Sequence, residues 1–114
     1  MENIIYNELR IRGYSVDVGQ VKVRIINDDG KKIRKLLEMD FICNSGNKRV
    51  YIQSVLDMPT QEKIDQETNS LRHIKDGFPK IVIVGGLTPS YVNTDGISIM
   101  NVIDFLKDTE MGLL

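Results

Sequence analysis

Residues 49–55 read Arg-Val-Tyr-Ile-Gln-Ser-Val, residues 60–76 follow a helical pattern, and residues 81–84 read Ile-Val-Ile-Val. This passage decides the fold. β-Branched and aromatic side chains mark the first segment as a strand. Thr60 then suits an N-cap, and Glu62 puts a negative charge in the first turn of a helix. Ile64, Leu71 and Ile74 share one face, Gly77 supplies a stop, and Pro79 follows. The unbroken apolar run Ile81–Val84 is the pattern of a strand covered on both faces. At these lengths the three elements form a right-handed crossover, so strands 49–55 and 81–84 pair in parallel.

Working outward, Glu2–Arg12 reads as a helix whose buried face carries Ile5, Leu9 and the stem of Arg12, with Gly13 as its stop. Tyr14–Val18 alternates as a strand does, and Val21–Ile26 is a second β-rich run. Asn27-Asp28-Asp29-Gly30 is a turn signal. Leu36–Cys43 is another strand, joined to 49–55 through Asn44-Ser45-Gly46-Asn47. Downstream of the crossover come a loop from Gly85 to Asp95, a short strand at Ile97–Met100, and a helix from the cap Asn101 through Lys107. The expected order is α-β-β-β-β-α-β-β-α, an α/β fold with a mixed sheet flanked by helices. Ile5, Leu9, Ile52, Leu71, Ile81, Ile83 and Ile103 are its expected core.

With 114 residues there is room for a single domain, 1–114. A net charge of −1 with 41% hydrophobic residues excludes a disordered chain. The longest apolar run, four residues, is far too short to cross a membrane, and no signal-peptide pattern opens the chain. A lone cysteine, Cys43, forms no internal disulfide, which suits a cytoplasmic setting. No Walker-type phosphate loop is present. The charge is uneven, however: residues 22–49 hold eight basic side chains against four acids, and residues 50–114 hold five against nine. Lys31, Lys32, Arg34 and Lys35 form the densest basic cluster and the candidate nucleic-acid contact. The same polarity occurs in domains that bind nothing charged, and a pI near 5.8 argues against a dedicated DNA binder.

Two polar residues stand inside apolar strands: Asp40 in Leu-Glu-Met-Asp-Phe-Ile and Gln53 in Val-Tyr-Ile-Gln-Ser-Val. A carboxylate there is costly without a partner or a purpose. The hairpin through 44–47 brings both to one end of the sheet, and plain alternation sets them on the same face. Glu2 opens the first helix, with Tyr6 one turn along on its face.

At this point several motifs, taken in order, resemble one family. They are Glu2–Leu9 followed by Arg12-Gly13-Tyr14, then Glu-Met-Asp-Phe-Ile (38–42) and Tyr-Ile-Gln-Ser-Val (51–55). Leu-Arg-His-Ile-Lys-Asp-Gly-Phe-Pro-Lys (71–80), Asp-Gly-Ile (95–97) and Val-Ile-Asp-Phe-Leu (102–106) complete the set. Together they look like DUF4143, the C-terminal domain of a group of prokaryotic AAA-type ATPases. That domain is similar to the PD-(D/E)XK, restriction-endonuclease-like nucleases. The resemblance covers residues 2–108 and implies a restriction-endonuclease-like sheet.

In active members of that superfamily a helix glutamate, a strand aspartate and an (Asp/Glu)-X-Lys strand hold Mg²⁺ and activate water. By position the resemblance assigns Glu2 and Asp40 to the two acids and makes them the metal candidates. Gln53 stands at the second strand acid, and Val55 where the lysine belongs. A neutral amide brings no charge to a cation and valine activates no water. The implied role is therefore a non-catalytic, nuclease-like accessory domain that contacts an AAA-type ATPase domain, another protein or nucleic acid. A metal-dependent DNA nuclease with a degenerate Glu2/Asp40/Gln53 site is the alternative. A DNA-binding module built on the basic hairpins is the third.

Each residue also has a plainer reading. Asp40 can accept hydrogen bonds from backbone, Gln53 can be a paired amide within the sheet, and Glu2 can favour the positive end of its helix. His73 lacks a companion ligand and reads as a solvated helix residue. Cys43 reads as a small buried strand residue, and Gly85-Gly86 as a turn.

Overall fold

The computed structural model describes residues 2–107. Its elements are α1 (Glu2–Ile11), β1 (Ser15–Ile26), β2 (Lys32–Ser45), β3 (Lys48–Val55), α2 (Gln61–Arg72), β4 (Lys80–Val84), β5 (Tyr91–Val92), β6 (Ser98–Asn101) and α3 (Val102–Lys107). The six strands make one mixed sheet in the order β1-β2-β3-β4-β6-β5. Strands β1 to β3 form an antiparallel meander, and β4 lies parallel to both β3 and β6, as the crossover requires. β5 turns back antiparallel on β6. Among the described residues no helix is long and apolar enough to cross a membrane.

The chain order is therefore α-β-β-β-α-β-β-β-α, not the expected α-β-β-β-β-α-β-β-α. Two local features account for the change. Gly19-Gln20 does not separate two strands: β1 runs through it with one irregularity in pairing. β5 is only two residues long and exposed, so it carries no periodicity.

The sheet is packed on both faces. Ile5 and Leu9 of α1 and Phe105 of α3 lie against Phe41, Cys43, Ile52, Ile81 and Ile83. Ile64 and Leu71 of α2 cover the other face, against Leu37, Met39, Tyr51, Val82 and Ile99. Six of the seven expected core residues are buried. Ile103 is not, at 51% exposed. The Asn101 side chain accepts the Ile103 N–H (2.9 Å), which starts α3 at Val102 and gives the inward places to Val102 and Phe105. Arg12 ties the two helices on this side together. Its guanidinium donates to the Phe105 carbonyl (2.6 Å), pairs with Glu8 (3.0 Å) and lies 4.6 Å from the centre of the Phe105 ring.

Thr60 caps α2 as expected, its hydroxyl oxygen accepting the Lys63 N–H at 3.3 Å. The helix ends at Arg72, with half-buried His73 as C-cap, rather than near Asp76. Asp76 is drawn away from a helix by other partners. Its carboxylate accepts from the Tyr51 hydroxyl (2.6 Å), the Lys80 ammonium (2.9 Å) and the Phe78 N–H (3.0 Å). Burial works to raise this carboxyl, but those hydrogen bonds and the Lys80 charge outweigh it and hold it below its ordinary value.

After β4 the chain passes tightly over the end of β3. The Gly85 N–H donates to the Val55 carbonyl (3.0 Å), and a Cβ on Gly85 would lie 2.2 Å from the Leu56 carbonyl oxygen. No side chain fits there without moving backbone. Gly85→Ala should therefore lower stability by about 1–3 kcal/mol, as overpacking does. The check is a lower urea midpoint at unchanged slope; an unchanged midpoint would refute the tight crossing.

Candidate functional site

The site begins with one extra residue in β2. Asp17 pairs with Ile42 but Gly19 with Met39, so Val18 alone faces both Asp40 and Phe41. This is a β-bulge, and it reverses the side-chain alternation along β2. Leu37 and Met39 pack on the α2 side, whereas Phe41 and Cys43 pack on the α1 side.

The ladder between β2 and β3 runs from Ser45 opposite Lys48 to Phe41 opposite Ile52 and goes no further. Beyond it, side chains replace the ladder. The Gln53 amide oxygen accepts the Asp40 N–H (2.9 Å), and its nitrogen donates to the Glu38 carbonyl (2.8 Å). In return Asp40 Oδ2 accepts from the Ser54 N–H (2.8 Å) and the Ser54 hydroxyl (2.9 Å). Each strand thus clasps the backbone of the other through a polar side chain. Gln53 is 3% exposed, so these bonds are protected from water.

Asp40 and Gln53 therefore meet at the expected end of the sheet. Gln53 alternates with Tyr51 and Val55 of the α2-side core, and the Asp40 charge reaches Glu67 of α2, so both residues lie toward the α2 side of the sheet. Each side chain bonds the backbone of the other strand, where the β2–β3 ladder has ended. Glu2 opens α1, and its side chain lies outside the described part of the structure. Tyr6 packs against the α1-side core, and its hydroxyl accepts from Arg10 (3.1 Å). Val55 is buried in the α2-side core.

As bonded here, Asp40 and Gln53 do not fit a hard divalent cation, which asks for several free oxygen ligands with net negative charge. The Gln53 oxygen is held by a backbone donor, and Asp40 Oδ2 already takes two hydrogen bonds. Among the described residues no three Asp, Glu, His or Cys side chains converge. The Cys43 thiol is fully buried and pushed up to about 12, by burial first and the nearby Asp17 charge second, so it is no nucleophile.

One acid escaped the sequence reading. Glu67 of α2 is half-buried, and its carboxyl is raised by burial first and by the Asp40 charge second. The signal lay in spacing: Glu67 sits three residues after Ile64 and four before Leu71, on the inward stripe of the helix. The basic residues Lys31, Lys32, Arg34 and Lys35 are all exposed but do not form one patch. Arg34 faces Arg24 and Lys35 faces Val23 in the β1–β2 ladder, so these neighbours lie on opposite faces.

No protein-family model matches the chain. A segment of an uncharacterized protein of Haemophilus influenzae is 37% identical to it over 106 residues, 93% of this chain and 22% of that protein. The chain thus spans about a fifth of the length of the curated relative it matches.

The clasp explains why position 53 is an amide. A glutamate there, once ionised, has no proton to give the Glu38 carbonyl and sets two acceptors against each other. Gln53→Glu should destabilise the chain by about 1–3 kcal/mol. The loss should shrink as pH falls below about 4, where the new carboxyl becomes a donor. A urea midpoint at neutral pH equal to that of the parent would rule out the clasp.

Glu67 predicts the opposite sign. Its raised folded-state value means that the native chain holds this proton more tightly than the unfolded chain. Stability therefore falls as pH rises from the unfolded value through the folded one. Glu67→Gln removes that loss. It should be more stable than the parent near about pH 7 and lose the advantage near about pH 3, below the ordinary carboxyl range. Equal midpoints at both pH values would show that Glu67 is not held near Asp40.

Proposed function

We propose that this chain is a restriction-endonuclease-like module of the DUF4143 type, carried in the cytoplasm at the C-terminal side of an AAA-type ATPase. It works by contact and not by catalysis. The observation that carries this reading is the clasp. Asp40 and Gln53, which the resemblance assigns to a cleavage site, are both spent on backbone hydrogen bonds. Valine at position 55 points the same way, since phosphodiester hydrolysis needs a group there to orient water or to stabilise developing charge. The helix, the antiparallel meander and the parallel crossover accord with the resemblance. The relative from Haemophilus influenzae supports a module of a larger protein, because 78% of that protein lies outside the shared segment.

The test is incubation of the purified chain with Mg²⁺ or Mn²⁺ and single-stranded, duplex and branched DNA. No cleavage above the metal-only blank is expected. Cleavage that disappears in Asp40→Asn, a change that keeps an acceptor oxygen for Ser54, would overturn the reading. It would establish instead a degenerate metal-dependent nuclease using Glu2, Asp40 and Gln53.

A further inference from the structure

Beyond the bulge, β1 and β2 leave the rest of the sheet and continue as a two-stranded ribbon, from Gly19 opposite Met39 to Ile26 opposite Lys32. Seven steps of strand make it about 24 Å long. One face is apolar: Val21, Val23, Ile25, Leu37 and Met39 belong to the α2-side core. The other face continues the α1 side of the sheet, where Val16 packs against the core. The helices do not cover it. Its residues Lys22, Arg24, Lys32, Arg34 and Leu36 are all exposed.

The charges on this open face form a compact diagonal. Arg24 stands directly opposite Arg34, with Lys22 one position along β1 on one side and Lys32 one position along β2 on the other. Opposed partners are about 5 Å apart, and neighbours on one strand about 7 Å. Like charges set directly opposite each other destabilise a ribbon. None of the four makes an ion pair among the described residues. Glu38 is the one acid of this face, beyond Lys22 and opposite Gln20. Asp28 and Asp29 oppose Lys31 at the tip, so the attraction lies along the body of the ribbon and not at its end.

We infer that this face of the ribbon docks on the phosphate backbone of duplex DNA, with Lys22, Arg24, Lys32 and Arg34 as the phosphate contacts. Shape and charge agree on that occupant. The major groove of B-form DNA admits a two-stranded β-ribbon, whereas the deep, narrow major groove of duplex RNA does not. Arginine suits phosphate through its forked donors. Val18, Ile26 and Leu36, exposed among the charges, supply the apolar contacts available to thymine methyl groups. The inference deepens the contact role proposed above. It also replaces the cluster read from the sequence: Lys31 and Lys35 drop out, and Lys22 and Arg24 enter.

The test is fluorescence anisotropy of the full chain with a labelled DNA duplex of about 20 base pairs, titrated at several salt concentrations. Four phosphate contacts give a slope of log affinity against log salt of about −3 to −4, or roughly a 100-fold loss between about 50 and 200 mM salt. Arg24→Gln with Arg34→Gln should reduce that slope by about 2, whereas Lys35→Gln, exposed on the opposite face, should leave it unchanged. All variants are surface changes, and circular dichroism melts establish that they are folded. Three results would overturn the inference: no binding at the lowest salt, equal loss of slope in Lys35→Gln, or equal affinity for duplex RNA. Binding to polyglutamate without binding to DNA would also overturn it and assign the face to an acidic protein. The cleavage assay fails or succeeds independently of all four.

Discussion

The single extra residue in β2, where Asp40 and Phe41 together face Val18, is the constraint on which the rest of the structure depends. A strand with period two presents alternate side chains to one face throughout its length. β2 has to feed both cores, giving Leu37 and Met39 to α2, and Phe41 and Cys43 to α1. Only a change of parity between Met39 and Phe41 allows that. A regular strand would put Leu37 and Met39 on the open face, exposing two large side chains worth about 1.5–3 kcal/mol each when buried.

The bulge carries a polar cost, and the identity of the nearby residues follows from it. Where the β2–β3 ladder stops, the Asp40 N–H, the Glu38 carbonyl and the Ser54 N–H have lost their ladder partners. Each would cost about 1–3 kcal/mol if left unsatisfied. Gln53 has to supply an acceptor and a donor at once, which an amide does and a carboxylate does not. Asp40 meets two donors, and a carboxylate answers both. The residue types at 40 and 53 thus match the backbone groups they face. Charge for a cation plays no part in that match.

Much of this architecture was legible in the sequence because it rests on strong periodicity. The crossover from β3 through α2 to β4, the Thr60 cap and the hairpin at 44–47 are written in apolar spacing and turn residues. The bulge was not, because Leu36-Leu37-Glu38-Met39-Asp40-Phe41-Ile42 is apolar on both parities and fits either register. The end of α2 is not written in local sequence, because the partners that draw Asp76 out of the helix, Tyr51 and Lys80, come from other elements. Asp40 and Gln53 were found as polar residues in apolar strands. Their bonding partners were not foreseen, since these are backbone atoms that become available only after the ladder breaks.

The same parity change also governs the charge on the ribbon. With the register that holds from Ser15 to Asp17 continued past Val18, Arg24 would face Lys35 and Lys22 would face Leu37. Lys35 would then join the open face and Arg34 would turn toward α2, with Leu37 stranded among basic side chains. The shift by one residue instead puts Arg34 opposite Arg24 and returns Leu37 to the core. A charge pattern that looks like a run along the sequence, 31 to 35, is thereby redistributed across two strands and sorted by face. Sequence proximity groups these cations one way and sheet geometry another, and a rigid linear partner such as a phosphate backbone meets only the second grouping.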